Sequence, residues 1–334
     1  MIRCTARDAL SNASLDFSEN CQIFARFPAR NGYAKGQTVQ PMTSNAFAAP
    51  ATTPSNPLEP MSDAIKAPST WLMLLEARAP WEMAAAMFSL PWLMSQPNGD
   101  GHPVLVLPGL AANDLTTIPL RSFLRSRGYA ALPWNFGLNF GPRPGVLSGC
   151  IEHVRELARD SGEKVSVIGW SLGGIYAREI AKAVPAKVRC VITLGTPFDG
   201  PIYATNASWL FEFLSKVDPA NIPNRAQIRQ TPPVPTTSII SRTDGVVPWQ
   251  CSINPATDRS ETIEIHASHT GMGANPLALY AIADRLAQRP GQWRPFHVDG
   301  VRRRFFRIGH EPVVADDGNP VASSNSNSKR KRKG

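Results

Sequence analysis

The sequence lacks the features that define several classes of protein. Its 5 cysteines are an odd number without a C-x-x-C pair, which argues against a disulfide framework and against a zinc site. The longest apolar stretch, Trp71–Met94, is interrupted by charges and prolines and falls short of the roughly 20 apolar residues that a membrane span needs. Residues 1–20 contain no apolar run that could form the core of a signal peptide. We therefore expect a cytoplasmic protein with reduced, structural thiols.

The central part of the chain also lacks the large excess of charge of one sign that a charged binding face would need. The formal net charge is +9, but residues 99–290 carry 18 basic and 15 acidic side chains, whereas residues 291–334 carry 10 and 4. The excess therefore belongs to a basic tail, and no nucleic-acid partner is expected. Binding of nucleic acid or anionic lipid through the terminal run Lys329–Lys333 is the weaker alternative, since so short a run is usually a solvated tail.

Composition divides the chain into four parts. Residues 1–60 are rich in Asn, Ser, Thr, Ala and Pro, which predicts a disordered N-terminal extension, although Met61 also looks like an ordinary protein start. Residues 61–98 predict a helical N-terminal segment, with two helices broken at Pro80. We expect it to brace the domain, and the alternatives are peripheral membrane contact or substrate guidance. Residues 291–334 form the basic C-terminal tail, which either adds a short strand pair or docks before becoming disordered after about residue 320.

Residues 99–290 alternate short apolar strands with amphipathic helices. This order predicts an α/β fold built on a doubly wound, mainly parallel sheet that is covered on both faces. The predicted strands are Val104–Leu107, Tyr129–Pro133, Val165–Ile168, Val188–Leu194, Ser238–Ser241 and Thr262–His266. The predicted helices are Pro119–Arg127, Val146–Asp160, Leu172–Ala183 and Pro276–Gln288.

The strongest motif is Gly169-Trp170-Ser171-Leu172-Gly173, which lies between a buried strand and a helix. A serine in this context sits on a tight strand-to-helix turn, where flanking glycines avoid collisions with the backbone and the helix N-terminus favours a developing anion. A phosphate-binding loop is excluded because no Lys-Ser/Thr follows the glycines. Ser171 is therefore the predicted nucleophile.

A serine nucleophile needs a histidine base and a carboxylate that orients the base. Asp244 and His269 each follow a late predicted strand, in the order acid then base, and are the predicted partners. Asp199 is the alternative acid. His266 is the competing histidine, but it ends a strand and is expected to point inward or to cap it.

The oxyanion of an acyl-transfer reaction needs two backbone N–H donors. Leu172, which follows the nucleophile, is the first candidate. The turn Pro108-Gly109-Leu110 after the first buried strand supplies the second, through the Leu110 N–H. An ordinary turn that only ends the strand is the alternative for this loop.

Together these segments resemble the lipase and esterase branch of the α/β-hydrolases. The resemblance covers about residues 100–290 and includes Leu194-Gly195-Thr196-Pro197 and Asp244-Gly245-Val246-Val247-Pro248. It implies a helical cap before the acid, at about residues 202–230. One departure is Pro108-Gly109, where lipases often carry His-Gly.

The cap and the motif also suggest the substrate. Apolar side chains are dense in residues 202–214, which is typical of a cap over an acyl pocket, although they could also pack on the sheet edge. The predicted pocket residues are Trp170, Trp209 and Phe211. We expect hydrolysis of a small-molecule ester or lipid with an apolar acyl group and no metal or organic cofactor. An acyltransferase or thioesterase would use the same triad, and an inert scaffold would be expected to lack part of it. The sequence does not predict the oligomeric state.

Overall fold

The structure, a computed structural model, describes residues 65–200, 204–208, 211–212 and 225–308. The predicted extension 1–60, most of the predicted cap, and the tail after residue 308 lie outside this part of the chain. Within it, no helix is both long and apolar enough to cross a membrane. The described residues belong to one compact unit, Leu58–Gly334.

A seven-stranded sheet runs through the middle of the domain in the order β2-β1-β3-β4-β5-β6-β7. The first six strands are parallel, and β7 is antiparallel to β6. The strands are β1 Pro103–Leu107, β2 Ala130–Pro133, β3 Val165–Trp170, β4 Val188–Leu194, β5 Thr236–Ile240, β6 Ser260–Glu264 and β7 Arg307–Ile308. The predicted doubly wound, mainly parallel sheet is confirmed.

Helices cover both faces of this sheet. The described helices are α1 Thr70–Leu74, α2 Ala79–Phe88, α3 Leu90–Met94, α4 Ile118–Ser126, α5 Val146–Ser161, α6 Leu172–Ala183, α7 Arg225–Arg229 and α8 Pro276–Leu286. Helices α4 and α8 share one apolar cluster with β1, β3 and β4, including Val106, Ile168 and Ile192. Helices α5 and α6 share a second cluster with the opposite side chains of β1 and β3, including Leu105 and Val167. Because both faces are buried, the central strands read as nearly continuous apolar runs.

The strand boundaries differ from the predicted ones at β5 and β6, which both begin two residues earlier. Thr236 and Thr237 open β5, and both are buried. Their hydroxyls donate to the Val234 carbonyl (2.8 Å) and to Glu261 Oε1 (3.0 Å). Because threonine is β-branched and its hydroxyl finds a partner, it serves as a buried strand residue that an apolar pattern does not reveal.

The N-terminal segment contains more breaks than the two predicted helices. A 3₁₀ turn, Leu75–Arg78, joins α1 to α2, and Ser89 separates α2 from α3. Pro80 and Pro91 each lie in the first turn of the helix that they begin, which is where proline is tolerated. The helices contact the domain through the buried side chains of Ala86 and Leu93.

The region after α8 docks on the sheet edge. A 3₁₀ turn, Gly300–Arg304, precedes β7, which pairs with Ile263 and Glu264 of β6. Phe296 and Phe306 are buried and contact each other and Tyr280 of α8. Of the two predicted arrangements, the chain therefore combines a short added strand with a docked aromatic segment.

Candidate active site

Ser171 lies at the turn between β3 and α6 in a strained conformation. Its backbone has φ 52° and ψ −122°, a region that non-glycine residues rarely adopt and that persists only where the surroundings hold it. One such constraint is a hydrogen bond of 2.8 Å from the Ser171 N–H to the carbonyl of Leu194, at the end of β4. The turn therefore presents the serine at the N-terminus of α6, beside the carboxyl end of β4.

Three glycines around the turn are required by close packing. A Cβ atom on Gly169 would overlap the backbone of Gly173 and Gly174. A Cβ on Gly173 would lie 2.6 Å from the Pro108 carbonyl oxygen, and one on Gly174 would overlap the side chain of Thr196. These contacts give the physical reason for the two glycines of the motif and for Gly174 beside it, since real Cβ atoms do not approach other atoms this closely.

Asp244 and His269 meet at the same edge of the sheet. Asp244 Oδ2 lies 2.7 Å from His269 Nδ1, and the two residues are 3% and 6% exposed. The second oxygen, Asp244 Oδ1, accepts from the N–H groups of Val246 (2.8 Å) and Val247 (2.7 Å). A Cβ on Gly195 would lie 3.0 Å from both Asp244 Oδ2 and His269 Nδ1. The pair therefore packs against the residue that follows Leu194, the hydrogen-bond partner of Ser171.

Opposing effects act on the charge of His269. Burial disfavours the imidazolium, but the Asp244 carboxylate favours it through its charge and hydrogen bond, and the charge of Glu76 adds to this, so that the pKa of His269 is raised above its ordinary value. With Nδ1 directed to the carboxylate, Nε2 is the ring nitrogen left for proton transfer. This is the orientation that a general base requires.

The alternative acid and the competing histidine lie elsewhere. Asp199 pairs with Arg229, with 2.8 Å between Asp199 Oδ1 and Arg229 Nε. The expectation that His266 points inward is wrong, because His266 is exposed. It follows β6 by two residues and lines a surface groove of about 530 Å³ together with Trp81 and Phe305.

The loop after β1 approaches Ser171 closely. A Cβ on Gly109 would lie 3.2 Å from Ser171 Cβ. Asn139 holds this loop in place: its Nδ2 donates to the Pro108 carbonyl (2.9 Å), its carbonyl accepts from Ala111 (2.8 Å), and its N–H donates to Ala112 (2.8 Å). Ala111 has φ 56°, which turns the chain sharply just after Leu110.

The two predicted oxyanion donors are backbone groups near this turn. Leu110 follows Gly109, and Leu172 is the first residue of α6. Among the described residues, neither the Leu110 N–H nor the Leu172 N–H donates to a backbone carbonyl outside regular secondary structure.

The predicted pocket residues have different positions. The Trp170 indole N–H donates to the His269 carbonyl (3.0 Å), and its ring lies 3.0 Å from a Cβ built on Gly273. Trp170 therefore connects the serine turn to the loop that carries the histidine. Phe211 is buried, and Trp209 lies outside the described residues.

Sequence reasoning missed three charged residues of the N-terminal segment that contact the loops carrying Asp244 and His269. Arg78 Nη2 donates to the carbonyl of Thr243 (2.8 Å), the residue before Asp244. Glu82 Oε1 accepts from the N–H of Ser268 (2.7 Å), the residue before His269. Glu76 accepts from both loops. The charges that interrupt the apolar stretch were the available signal, since charges that become partly buried in a helical segment need partners.

Within the described part of the chain, no group of three or more His, Cys, Asp and Glu side chains is arranged to bind a metal ion. The described cysteines, Cys150, Cys190 and Cys251, are free thiols.

The parallel sheet, with a serine at a strained turn after β3, has the architecture of an α/β-hydrolase. The chain is 33% identical over 113 residues to a triacylglycerol lipase of Pseudarthrobacter phenanthrenivorans, a match that covers 31% of this chain and 35% of the lipase. A triacylglycerol lipase of Burkholderia plantarii matches with the same identity and length, covering 31% of each chain. The predicted resemblance to lipases and esterases is confirmed by this similarity.

The similarity is partial in extent. The matches span about a third of the length of these curated relatives, and no protein-family model matches the chain. Among solved structures, the crystal structure of Aspergillus fumigatus lipase B aligns with a TM-score of 0.47 and 19% identity over 59% of this chain and 56% of that one.

Proposed function

We propose that the protein is a serine hydrolase that cleaves a carboxylic ester with an apolar acyl group, through an acyl-enzyme on Ser171. The observation that carries the proposal is the buried Asp244–His269 pair, 2.7 Å apart, beside the β4 end that holds the strained serine turn. A buried carboxylate directed at a histidine, next to a serine on such a turn, is the arrangement that activates a hydroxyl nucleophile.

The reaction follows from these groups. Neutral His269 removes the Ser171 hydroxyl proton while the oxygen attacks the ester carbonyl, and Asp244 stabilises the resulting imidazolium. The N–H groups of Leu110 and Leu172 bind the oxyanion of the tetrahedral intermediate. The imidazolium then gives its proton to the leaving alcohol, and the acyl group remains on Ser171. Water, activated by the same histidine, releases the carboxylic acid and restores the enzyme.

A lipid or another apolar ester is the substrate class that these features favour. The two sequence relatives are triacylglycerol lipases by name. Phe211, in the interval where the cap is predicted, is buried, so its ring packs within the domain. A pocket for an acyl chain is lined mainly by apolar side chains with few polar groups, which the predicted cap would supply.

We further propose that the protein works at a lipid surface in the cytoplasm. Trp81 and Phe88 on α2 are 77% and 88% exposed, and Trp81 borders the same groove as Phe305. Phe305 directly follows the exposed arginines Arg302–Arg304. Large apolar side chains beside a basic cluster favour contact with anionic headgroups, and the free thiols agree with a reducing compartment.

Labelling with a fluorescent fluorophosphonate probe tests the nucleophile. We expect the wild type to label and Ser171→Ala not to label, because the probe needs an activated serine. Hydrolysis of p-nitrophenyl esters from acetate to palmitate should fall by at least about 10³-fold in Ser171→Ala, and the wild-type chain-length profile should favour longer acyl groups.

The exposed Ser148 provides a matched control, since its hydroxyl bonds within the first turn of α5. Ser148→Ala should label and hydrolyse like the wild type. A folded wild-type protein that neither labels nor hydrolyses any ester would contradict the proposal. Products formed with an added acceptor alcohol would instead assign acyl transfer to the same triad.

A further inference from the structure

Glu76 joins the two loops that carry the acid and the base. Its Oε1 accepts from the N–H of Gly245 (2.8 Å) and from the N–H of His269 itself (2.9 Å). Its Oε2 accepts from the N–H of Thr270 (2.8 Å) and from the Thr270 hydroxyl (2.7 Å). One carboxylate therefore binds the residue after Asp244, the histidine, and the residue after the histidine.

The segment that carries Glu76 is packed tightly on the acid loop. A Cβ on Gly245 would overlap the backbone of Leu72 and lie 2.8 Å from the Met73 Cα, so only glycine fits between the loop and α1. Arg78 and Glu82 hold the residues that precede Asp244 and His269. The 3₁₀ turn Leu75–Arg78 is thus fixed against the loops that carry Asp244 and His269, and contacts on each side determine the position of Glu76.

Glu76 remains a carboxylate at neutral pH. Burial alone would raise the pKa of its carboxyl, but the hydrogen bonds from Thr270, His269 and Gly245 outweigh burial and lower it below the ordinary value. Its negative charge favours the imidazolium of His269, as Asp244 does more strongly. The charged groups on the elements around His269 are Asp244 after β5, Glu76 and Arg78 on the 3₁₀ turn Leu75–Arg78, and Glu82 in the first turn of α2.

We propose that Glu76 is a positioning residue for the Asp244–His269 pair, holding both loops through their backbone N–H groups and favouring the imidazolium that forms during catalysis. This inference rests on the proposed function, because it assigns His269 the role of base. Glu76 does not contact substrate in this scheme. It acts only through the residues around it.

The test measures the titration of His269 directly in the full-length chain. Protein labelled with ¹³C-histidine is titrated by NMR, and the His269 signal is assigned by its absence in His269→Gln. In Glu76→Gln we expect the His269 pKa to fall, because the neutral side chain removes a negative charge that stabilises the imidazolium. The control is Glu152→Gln, which neutralises an exposed carboxylate on α5 whose ion pair with Arg155 lies on the surface, and it should leave the His269 titration at its wild-type position.

Kinetics provides a second readout. The acid limb of the kcat/KM profile should move to lower pH in Glu76→Gln, since the base must be neutral to act, and kcat should fall about tenfold with little change in KM. Glu76→Asp retains the charge but shortens the side chain, so it should keep the acid limb near the wild-type position while losing part of kcat.

The outcomes separate the two proposals. An unchanged His269 titration in folded Glu76→Gln would overturn the role of Glu76, whatever the activity. If the His269 pKa falls in Glu76→Gln but the wild type hydrolyses no ester, the electrostatic link between Glu76 and His269 stands and the proposed function is wrong. Loss of folding in both Glu76→Gln and Glu76→Asp would assign Glu76 to the scaffold and overturn the inference.

Discussion

At the scale of single residues, Asn139 determines the shape of the loop that lies beside the nucleophile. Its side chain is fully buried, with Nδ2 bonded to the Pro108 carbonyl at 2.9 Å and Oδ1 accepting from the Gly141 N–H at 3.2 Å. Its backbone pairs with the same loop at Ala111 and Ala112. The proposed oxyanion donor, the Leu110 N–H, has to be held in place before the reaction, and Asn139 restrains the loop that carries it.

Replacement of Asn139 by alanine should therefore affect both stability and turnover. The Pro108 carbonyl loses a buried partner, which costs about 2 kcal/mol of the free energy of unfolding. The Leu110 N–H becomes less well placed, so that kcat should fall by about tenfold or more while KM changes less. Urea unfolding and ester kinetics measure the two effects. The control is Asn113→Ala, because the Asn113 side chain bonds within its own turn. It should change stability and kcat less than Asn139→Ala does, and equal losses in the two variants would contradict the assignment.

The residues of the candidate site differ in how far sequence could predict them. Ser171 is recognisable because its motif and its strand–helix context are local. Asp244 and His269 could be proposed because each follows a strand of a parallel sheet, whose carboxyl ends meet at one edge. Glu76 could not be proposed, because it lies more than 160 positions from both loops in the chain and no local pattern records such a contact.

At the scale of elements, the helix that follows the nucleophile is tied to the chain that leads into β5. Arg178 of α6 is fully buried, donates to Asn254 Oδ1 (2.8 Å) and to the carbonyls of Arg229 (3.1 Å) and Gln230 (3.2 Å), and lies 3.7 Å from the ring of Phe198. Burial lowers its pKa to about 10, so the guanidinium remains charged at neutral pH. The connection fixes the end of the inserted segment beside the helix that presents Ser171.

Arg178→Met should destabilise the domain by about 3 kcal/mol, because the methionine fills the space but leaves the buried Asn254 side chain and two partly buried carbonyls without a donor. Chemical unfolding followed by tryptophan fluorescence measures the change. Arg155→Met on α5 is the matched control, since its ion pair with Glu152 is exposed and should contribute less than about 1 kcal/mol. A similar, small loss in both variants would show that the Arg178 contacts do not hold α6.

The sequence predicted helices and strands correctly where the apolar pattern and the turn residues agree. It failed where tertiary contacts determine which side chains are buried. Helix α6 and strand β4 have the predicted limits because strong apolar patterns end at clear turns. In the N-terminal segment, Met83, Met87 and Leu90 recur at helical spacing, which by itself predicts a packing face, yet these side chains are exposed and Ala86 is buried instead. Hydrophobic spacing identifies an apolar side of a helix, but the close approach to the domain selects the small residue.

At the scale of the whole molecule, apolar surface and positive charge occur together near the N-terminal helices. Trp92 of α3 stacks on Tyr280 with 4.6 Å between ring centroids, and the Arg302 guanidinium lies 5.5 Å from the centroid of the same tyrosine ring. The basic 3₁₀ turn is thereby held beside the helices that expose Trp81 and Phe88. The net charge of +9 adds a general attraction to anionic surfaces.

The proposed lipid contact predicts that the protein floats with anionic vesicles. Trp81 and Phe88 lie seven positions apart on α2, which places them on one side of the helix, and both are strongly exposed. Trp81→Ser combined with Phe88→Ser should weaken binding to phosphatidylglycerol vesicles by at least about tenfold, since two large apolar side chains no longer enter the interface. Raising the salt concentration should weaken the wild type as well, because the arginines act through charge.

Leu115→Ser is the matched control, because Leu115 is exposed to a similar degree, at 70%, but lies between β1 and α4. It should float like the wild type, and vesicles of neutral phosphatidylcholine should bind less of every variant. If the double variant binds anionic vesicles as well as the wild type does, the exposed face of α2 does not meet lipid. A segment of this chain would then be the better candidate to cover that face. In that case the double variant should be less stable than the wild type when no vesicles are present.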